Sequence, residues 1–332
     1  MPTLRDVNAL HRHGVIASAR YFSAASAVRD DSAWARWALR VILAIGASHL
    51  LAGIVTFFAY NWADMSAFAK FATVEAGLVI ALVGAWFAGI ERPVGQTLLI
   101  AASILVGALL AVIGQTYNTD ADAYTLFVAW AVLILPWTLA SRSAAHWTVW
   151  LVVLYLALSF YGEQILIPEG RVTESALEVG LGALAALVLA LREVAVRKGL
   201  SWLAAGWTRI GLLIATLGLL FWPAAGYLLD WLYGEQDGVF AVLAFVVALA
   251  IGAVAYRRWL PDFAATTTVI GFALLFVIAV GYRVIDEAVG FDGGEGLLVA
   301  SAGLLVLWSV AAMGLAAKLL QLLRRNLEPQ PS

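Results

Sequence analysis

The 332-residue chain contains no cysteine. That absence removes disulfides, thiolate-held zinc, iron–sulfur clusters and a cysteine nucleophile. Charge is also scarce, at 13% of residues against about a quarter in soluble domains. The net charge of -2 comes with no basic tract of the kind that tracks phosphates, so nucleic acid is not an indicated partner. The four histidines (His11, His13, His49, His146) are scattered, and no HExxH, P-loop or GxSxG pattern occurs. No metal and no cofactor is therefore expected. Residues 1–37 lack the short apolar core of a cleavable signal; the first long apolar run begins near Ala38.

Apolar residues make up 63% of the chain, and its mean hydropathy is +0.91. A single globule of this length cannot bury that much apolar surface, so the main partner is the lipid bilayer. A helix needs about 20 mainly apolar residues to cross roughly 30 Å of hydrocarbon. That criterion predicts an all-α, polytopic integral membrane bundle of about ten transmembrane helices. They lie at 38–60, 67–90, 96–114, 124–140, 145–161, 174–191, 209–229, 238–256, 263–282 and 297–317. The stretch 194–207, "VAVRKGLSWLAAGW", suits an interfacial helix lying flat; an additional span is the other reading.

Ten crossings leave all but Lys70, Arg171 and Arg283 of the 20 basic residues on the side that holds the N-terminus. Most acidic residues fall on the other side. Cytoplasmic loops carry the excess of Lys and Arg, so both termini are expected in the cytoplasm of a bacterial inner membrane. The organisation read from this is a cytoplasmic helical head at 1–37, five-helix halves at 38–161 and 162–318, and a cytoplasmic tail at 319–332. Five spans per half would relate the halves by inversion, although no matching motifs occur. Gly77/Gly84 and Gly107/Gly114 place small residues on one helix face, as close packing requires. Pro136 and Pro223 lie within spans, and most tryptophans read as interfacial belts. Thr266, Thr267 and Thr268 read as hydroxyls bonded back to their own helix.

Polar residues inside hydrocarbon need partners. Glu75 lies about 12 Å along the second span and His49 about 16 Å from the outer end of the first, at 1.5 Å per residue. Antiparallel neighbours bring them to similar depth, where they form a candidate intramembrane proton pair. The other reading gives each its own helix partner. A second group gathers on the outer face. "YNWADMSAFAK", residues 60–70, joins spans one and two and carries Asn61, the interface anchor Trp62, and Lys70, a cation on the side where cations are rare. "AVIGQTYNTDADAY", residues 111–124, ends span three without a single cation. Asn61, Lys70, Gln115, Tyr117 and Asp120 can ring one shallow pocket there, with Asp120 or Asp122 as counter-ion to Lys70. An ordinary loop with a snorkelling lysine is the plainer alternative. Arg283 has Asp286 and Glu287 as local partners.

"LLAGIVTFFAYNWADMSAFAK" (50–70) and "GALLAVIGQTYNTDADAYTLFVAWAVLILP" (107–136) resemble the bacterial predicted-membrane-protein family called Domain of Unknown Function 2157. The pattern is an apolar helix ending in Asn-Trp, a Lys opening the next helix, then Gly-Gln-x-Tyr and a Trp-containing helix. Asn61, Trp62, Lys70, Gly114, Gln115, Tyr117 and Trp130 carry it here, and the resemblance extends over about residues 1–160. It implies a multi-pass bacterial inner-membrane protein and no particular activity, substrate or cofactor. His49 and Glu75 are outside the pattern. The candidate ligand-binding set is Asn61, Trp62, Lys70, Gln115, Tyr117, Asp120 and Trp130.

Three classes of function fit. The first is a non-enzymatic small-molecule transporter or membrane-complex subunit, with a membrane-protein partner or a second copy of the chain. The second is a membrane-embedded enzyme acting on a lipid-linked or periplasmic substrate; its outer-face acids are spread over several loops and no histidine joins them. The third is a sensory or scaffold protein that works through the 1–37 head.

Overall fold

The computed structural model describes residues 62–117, 122–229, 235–289 and 295–327 continuously, with isolated positions between Leu10 and Tyr60. It divides into two compact units, Met1–Lys70 and Phe71–Ser332. Nine helices among the described residues are long and apolar enough to span a bilayer. They are α1 (Ala67–Ala88), α2 (Pro93–Tyr117), α3 (Ala123–Ser141), α4 (Ala144–Tyr161), α5 (Glu174–Arg197), α6 (Gly206–Leu228), α7 (Glu235–Val254), α8 (Phe263–Val289) and α9 (Glu295–Leu327). Single π-helical turns extend α4 over Gly162–Leu166 and α7 over Ala255–Trp259. No strand occurs among the described residues.

The protein is an all-α, multi-pass membrane protein. Its second to tenth expected spans coincide with α1 to α9. The first, 38–60, and the 1–37 head lie outside the described residues apart from isolated positions. α9 runs on to Leu327, well into the stretch expected to be a tail.

Helices are the form these sequences take because hydrocarbon offers no partner to an exposed amide, so each segment must satisfy its own backbone. The helix starts are marked by short polar side chains. Thr173 accepts from the Ala176 amide at 3.2 Å, and Asp262 accepts from the Ala265 amide at 2.9 Å. At the other extreme, Gly89 adopts φ +88° and turns the chain from α1 towards α2.

Residues 194–207 form neither a flat helix nor a further span. α5 continues to Arg197, Gly199 reverses the chain at φ +96°, and a 3-10 turn at Ser201–Leu203 leads into α6 at Gly206. The physical cause is Arg192, whose Nη2 donates to the carbonyls of Leu203 (2.8 Å) and Ala205 (3.1 Å) and folds the connector back over the helix ends.

Within Phe71–Ser332 several contacts sort the helix ends. Glu91 faces Arg142 at 3.9 Å, Trp147 stacks on Trp202 at 6.3 Å, and Arg197 reaches the Trp259 carbonyl at 3.5 Å. These join the α1–α2, α3–α4, α5–α6 and α7–α8 turns at one end of the bundle. At the opposite end Gln164 accepts from the Tyr124 amide at 3.2 Å, and Ser175 donates to the Asp237 carbonyl at 3.0 Å. The first end holds Arg92, Arg142, Arg192, Arg197, Lys198, Arg209, Arg257 and Arg258. The second holds Arg171 and Arg283, the latter donating to Glu287 at 2.7 Å as its sequence neighbours suggested.

Burial is inverted relative to a soluble domain. Ala85 is fully buried while its neighbours Trp86 and Phe87 are 79% and 83% exposed. Small residues line the interhelical faces because helices in lipid associate through close van der Waals packing. Thr266, Thr267 and Thr268 each donate to the carbonyl four residues back, as expected. The tryptophans do more than form belts. Trp130, Trp150 and Trp308 donate their indole N–H to carbonyls of Ser103, Ala131 and Val277 on adjacent helices, at 2.7, 3.0 and 2.8 Å. Each uses the spare lone pair of a helical carbonyl as an interhelix tie.

Candidate functional site

The residues singled out from sequence are divided between the two units. In the unit Met1–Lys70, the Lys70 Nζ lies 5.5 Å from the Trp62 ring centroid, a cation–π contact that gives the outlying cation a partner beside it. His49 places Nδ1 2.9 Å from the Ile45 carbonyl, one turn back on its own helix. In the unit Phe71–Ser332, Tyr117 packs against Phe71 with ring centroids 6.2 Å apart, which ties the C-terminal end of α2 to the first turns of α1. Gln115 is exposed on the last turn of α2, and Glu75 is exposed on α1, off the face that buries Val74, Ala81 and Ala85. Asn61 and Asp120 lie outside the described residues. Trp130 belongs to a different group.

That group is a buried polar node between α2, α3 and α4, centred on Ser103. The hydroxyl of Ser103 donates to the Leu99 carbonyl at 3.0 Å and accepts from Trp137 Nε1 at 2.8 Å. It also lies 2.7 Å from His146 Nε2. One hydroxyl has one hydrogen and two lone pairs. All three contacts are satisfied together only when Ser103 spends its hydrogen on Leu99 and both Trp137 and His146 donate to the oxygen. His146 is then the neutral Nε2–H tautomer. Its Nδ1 becomes a bare acceptor, fully buried and without a partner among the described residues. Trp130 completes the node by donating to the Ser103 carbonyl at 2.7 Å. Its indole lies over Gly107, where any Cβ would overlap the ring, so this glycine is required for the close approach. Val106, Ala131, Ile134 and Val153 wrap the node in apolar side chains. An unpaired buried acceptor costs about 1–3 kcal/mol.

The second polar concentration is a charged clasp at the basic end of α5, α6 and α8. Arg192 and Glu193 are 5% and 8% exposed. Arg192 donates to Glu193 at 2.7 Å and to the Thr208 hydroxyl at 3.1 Å. Arg209 forks onto both oxygens of Glu193 at 2.8 Å each, and its remaining nitrogen meets Asp262 at 2.6 Å. The guanidinium also lies 5.8 Å from the Tyr256 ring centroid. Two cations and two anions cancel, and every donor nitrogen named here has an acceptor. Burial pushes the Asp262 carboxyl up, but the Ala265 amide and the Arg209 guanidinium outweigh it and hold the group below its ordinary range. The clasp pins three helix ends and has no open valence.

Sequence reading did not single out Ser103, Trp137, Arg192, Glu193, Arg209 or Asp262, and it noted His146 only as scattered. The available signal was a histidine two residues into a span together with a serine inside the apolar run "IAASILVGALL". Attention to carboxylates and to helix ends passed over both. Among the described residues no group of three His, Asp or Glu side chains is placed to hold a metal ion.

No curated protein and no solved structure matches the chain. Residues 8–147, less than half of the chain, match the model of a family described as "Predicted membrane protein (DUF2157)". The match takes in Lys70, Gln115 and Tyr117 together with the whole node of Ser103, Trp130, Trp137 and His146, and it ends before the charged clasp. Over this N-terminal part the multi-pass protein is similar to that family.

Proposed function

We propose that the protein is a bacterial inner-membrane protein, with both termini in the cytoplasm, that binds a small neutral solute within the α2–α4 layer. It acts as a carrier or as the solute-binding subunit of a membrane complex. The observation that carries the reading is His146 Nδ1, a buried acceptor with no partner among the described residues, in an apolar surrounding. The chemistry it selects is a neutral hydrogen-bond donor, a hydroxyl or an amide N–H, because no charged group belongs to the node. The basic residues gathered at one end of the bundle support the orientation.

The test uses the full-length protein in detergent, unfolded thermally in the presence of a panel of neutral polyols, sugars and amides. A ligand at 100 times its dissociation constant stabilises by about 2.7 kcal/mol. At least one solute is expected to raise the wild-type midpoint and to leave the midpoint of His146→Leu, measured against its own baseline, unchanged. A panel that shifts neither protein, or shifts both equally, contradicts the reading. Orientation is tested separately on the naturally cysteine-free chain. A cysteine at Gly170 is expected to react with an impermeant maleimide on whole cells, and one at Gly199 only after lysis.

A further inference from the structure

The clasp has a consequence for the surface beside it. Glu193 and Asp262 are the carboxylates of this corner, and both are consumed by Arg192 and Arg209. Lys198, Arg257 and Arg258 stand exposed at this corner and form no ion pair among the described residues. Arg197, reaching the Trp259 carbonyl at 3.5 Å, brings the end of α5 against the end of α7 and sets these cations in one neighbourhood. The π turn Ala255–Trp259 turns Tyr256 inward beneath Arg209 and leaves Arg257, Arg258 and Trp259 facing out. Ala253, Val254, Arg257 and Arg258 line an open notch of about 400 Å³ with an apolar floor and a guanidinium rim. Trp259 is 66% exposed and Trp207 52% exposed at the same end, the side chains that settle at headgroup depth.

We propose that this notch is a binding site for an anionic phospholipid, with the phosphodiester on Arg257 and Arg258 and one acyl chain along Ala253 and Val254. Guanidinium groups bind phosphate oxygens bidentately, and the apolar floor matches a hydrocarbon chain. A free phosphate would use the rim and leave the floor bare, which is why the lipid is the ligand assigned.

The experiment is native mass spectrometry of the full-length protein delipidated in detergent and titrated with phosphatidylglycerol or phosphatidylcholine. The wild type is expected to retain phosphatidylglycerol preferentially. R257Q/R258Q loses about tenfold or more of that binding, in line with the attraction of each basic side chain to an anionic headgroup. Arg92→Gln, an exposed cation at the same end of the bundle, changes it by less than about twofold. R257K/R258K retains part of it and keeps the charge should the neutral variant fold poorly. Equal retention of the two lipids overturns the proposal. So does undiminished binding in R257Q/R258Q, or an equal loss in Arg92→Gln. Displacement of phosphatidylglycerol by millimolar inorganic phosphate overturns it in favour of a small-anion site.

Discussion

The α2–α4 layer and the α5–α8 corner answer the cost of polarity in a membrane in opposite ways. Around Ser103 the groups are neutral, lie in the apolar interior between three helices, and find partners among the described residues except for His146 Nδ1. At Glu193 the groups are charged, lie at the helix ends, and close on one another completely. Burial of a charge demands full neutralisation, whereas a neutral lone pair can be left open at moderate cost. The corner is therefore a fastening. The layer is where the proposed solute site lies.

The largest break of this contrast comes from Glu193→Ala, which strands two arginines. It is expected to destabilise by about 3–5 kcal/mol, read as the thermal midpoint in detergent. Ser103→Ala removes an acceptor shared by Trp137 and His146. Its expected cost is about 1–3 kcal/mol, smaller because no net charge is exposed and a water can occupy the space left by the hydroxyl. Acidification sharpens the comparison with a smaller effect. The folded Asp262 carboxyl lies below its ordinary value of 3.8, so its contribution is complete above that value and is lost as pH falls through the lower folded value. A midpoint measured from pH 7 to pH 3 should fall at the acid end, and the fall should be shallower in Asp262→Asn. Arg142→Gln removes the 3.9 Å pair with Glu91, whose partners are each 73% exposed. No measurable change is expected, because exposed pairs contribute little.

Spans α1 to α9 were legible because twenty apolar residues in a row have one stable form in lipid, and the separation of charge between the two ends followed from Arg and Lys placement. The connector at 194–207 was misread because two tryptophans and a basic pair resemble an interfacial helix. Its actual course depends on Arg192 reaching carbonyls eleven and thirteen residues ahead, a tertiary effect. The node was invisible for a related reason. Ser103 and His146 are 43 residues apart, and each looks like an ordinary tolerated polar residue until α2 and α4 are set side by side. Trp130 was singled out, but its task is read only from the carbonyl it meets. Lys70 was read with Asp120 or Asp122 as counter-ion or as a snorkelling lysine, and its contact with the Trp62 ring appears only in the structure.

The decisive measurement is nitrogen NMR on protein labelled with 15N-histidine, with His146 assigned by its loss in His146→Leu. The prediction is a neutral ring protonated at Nε2, with Nδ1 a bare acceptor whose resonance moves when a hydroxyl- or amide-bearing solute binds. A ring protonated at Nδ1 would contradict it, since the buried atom would then be a donor and could not accept from the proposed solute.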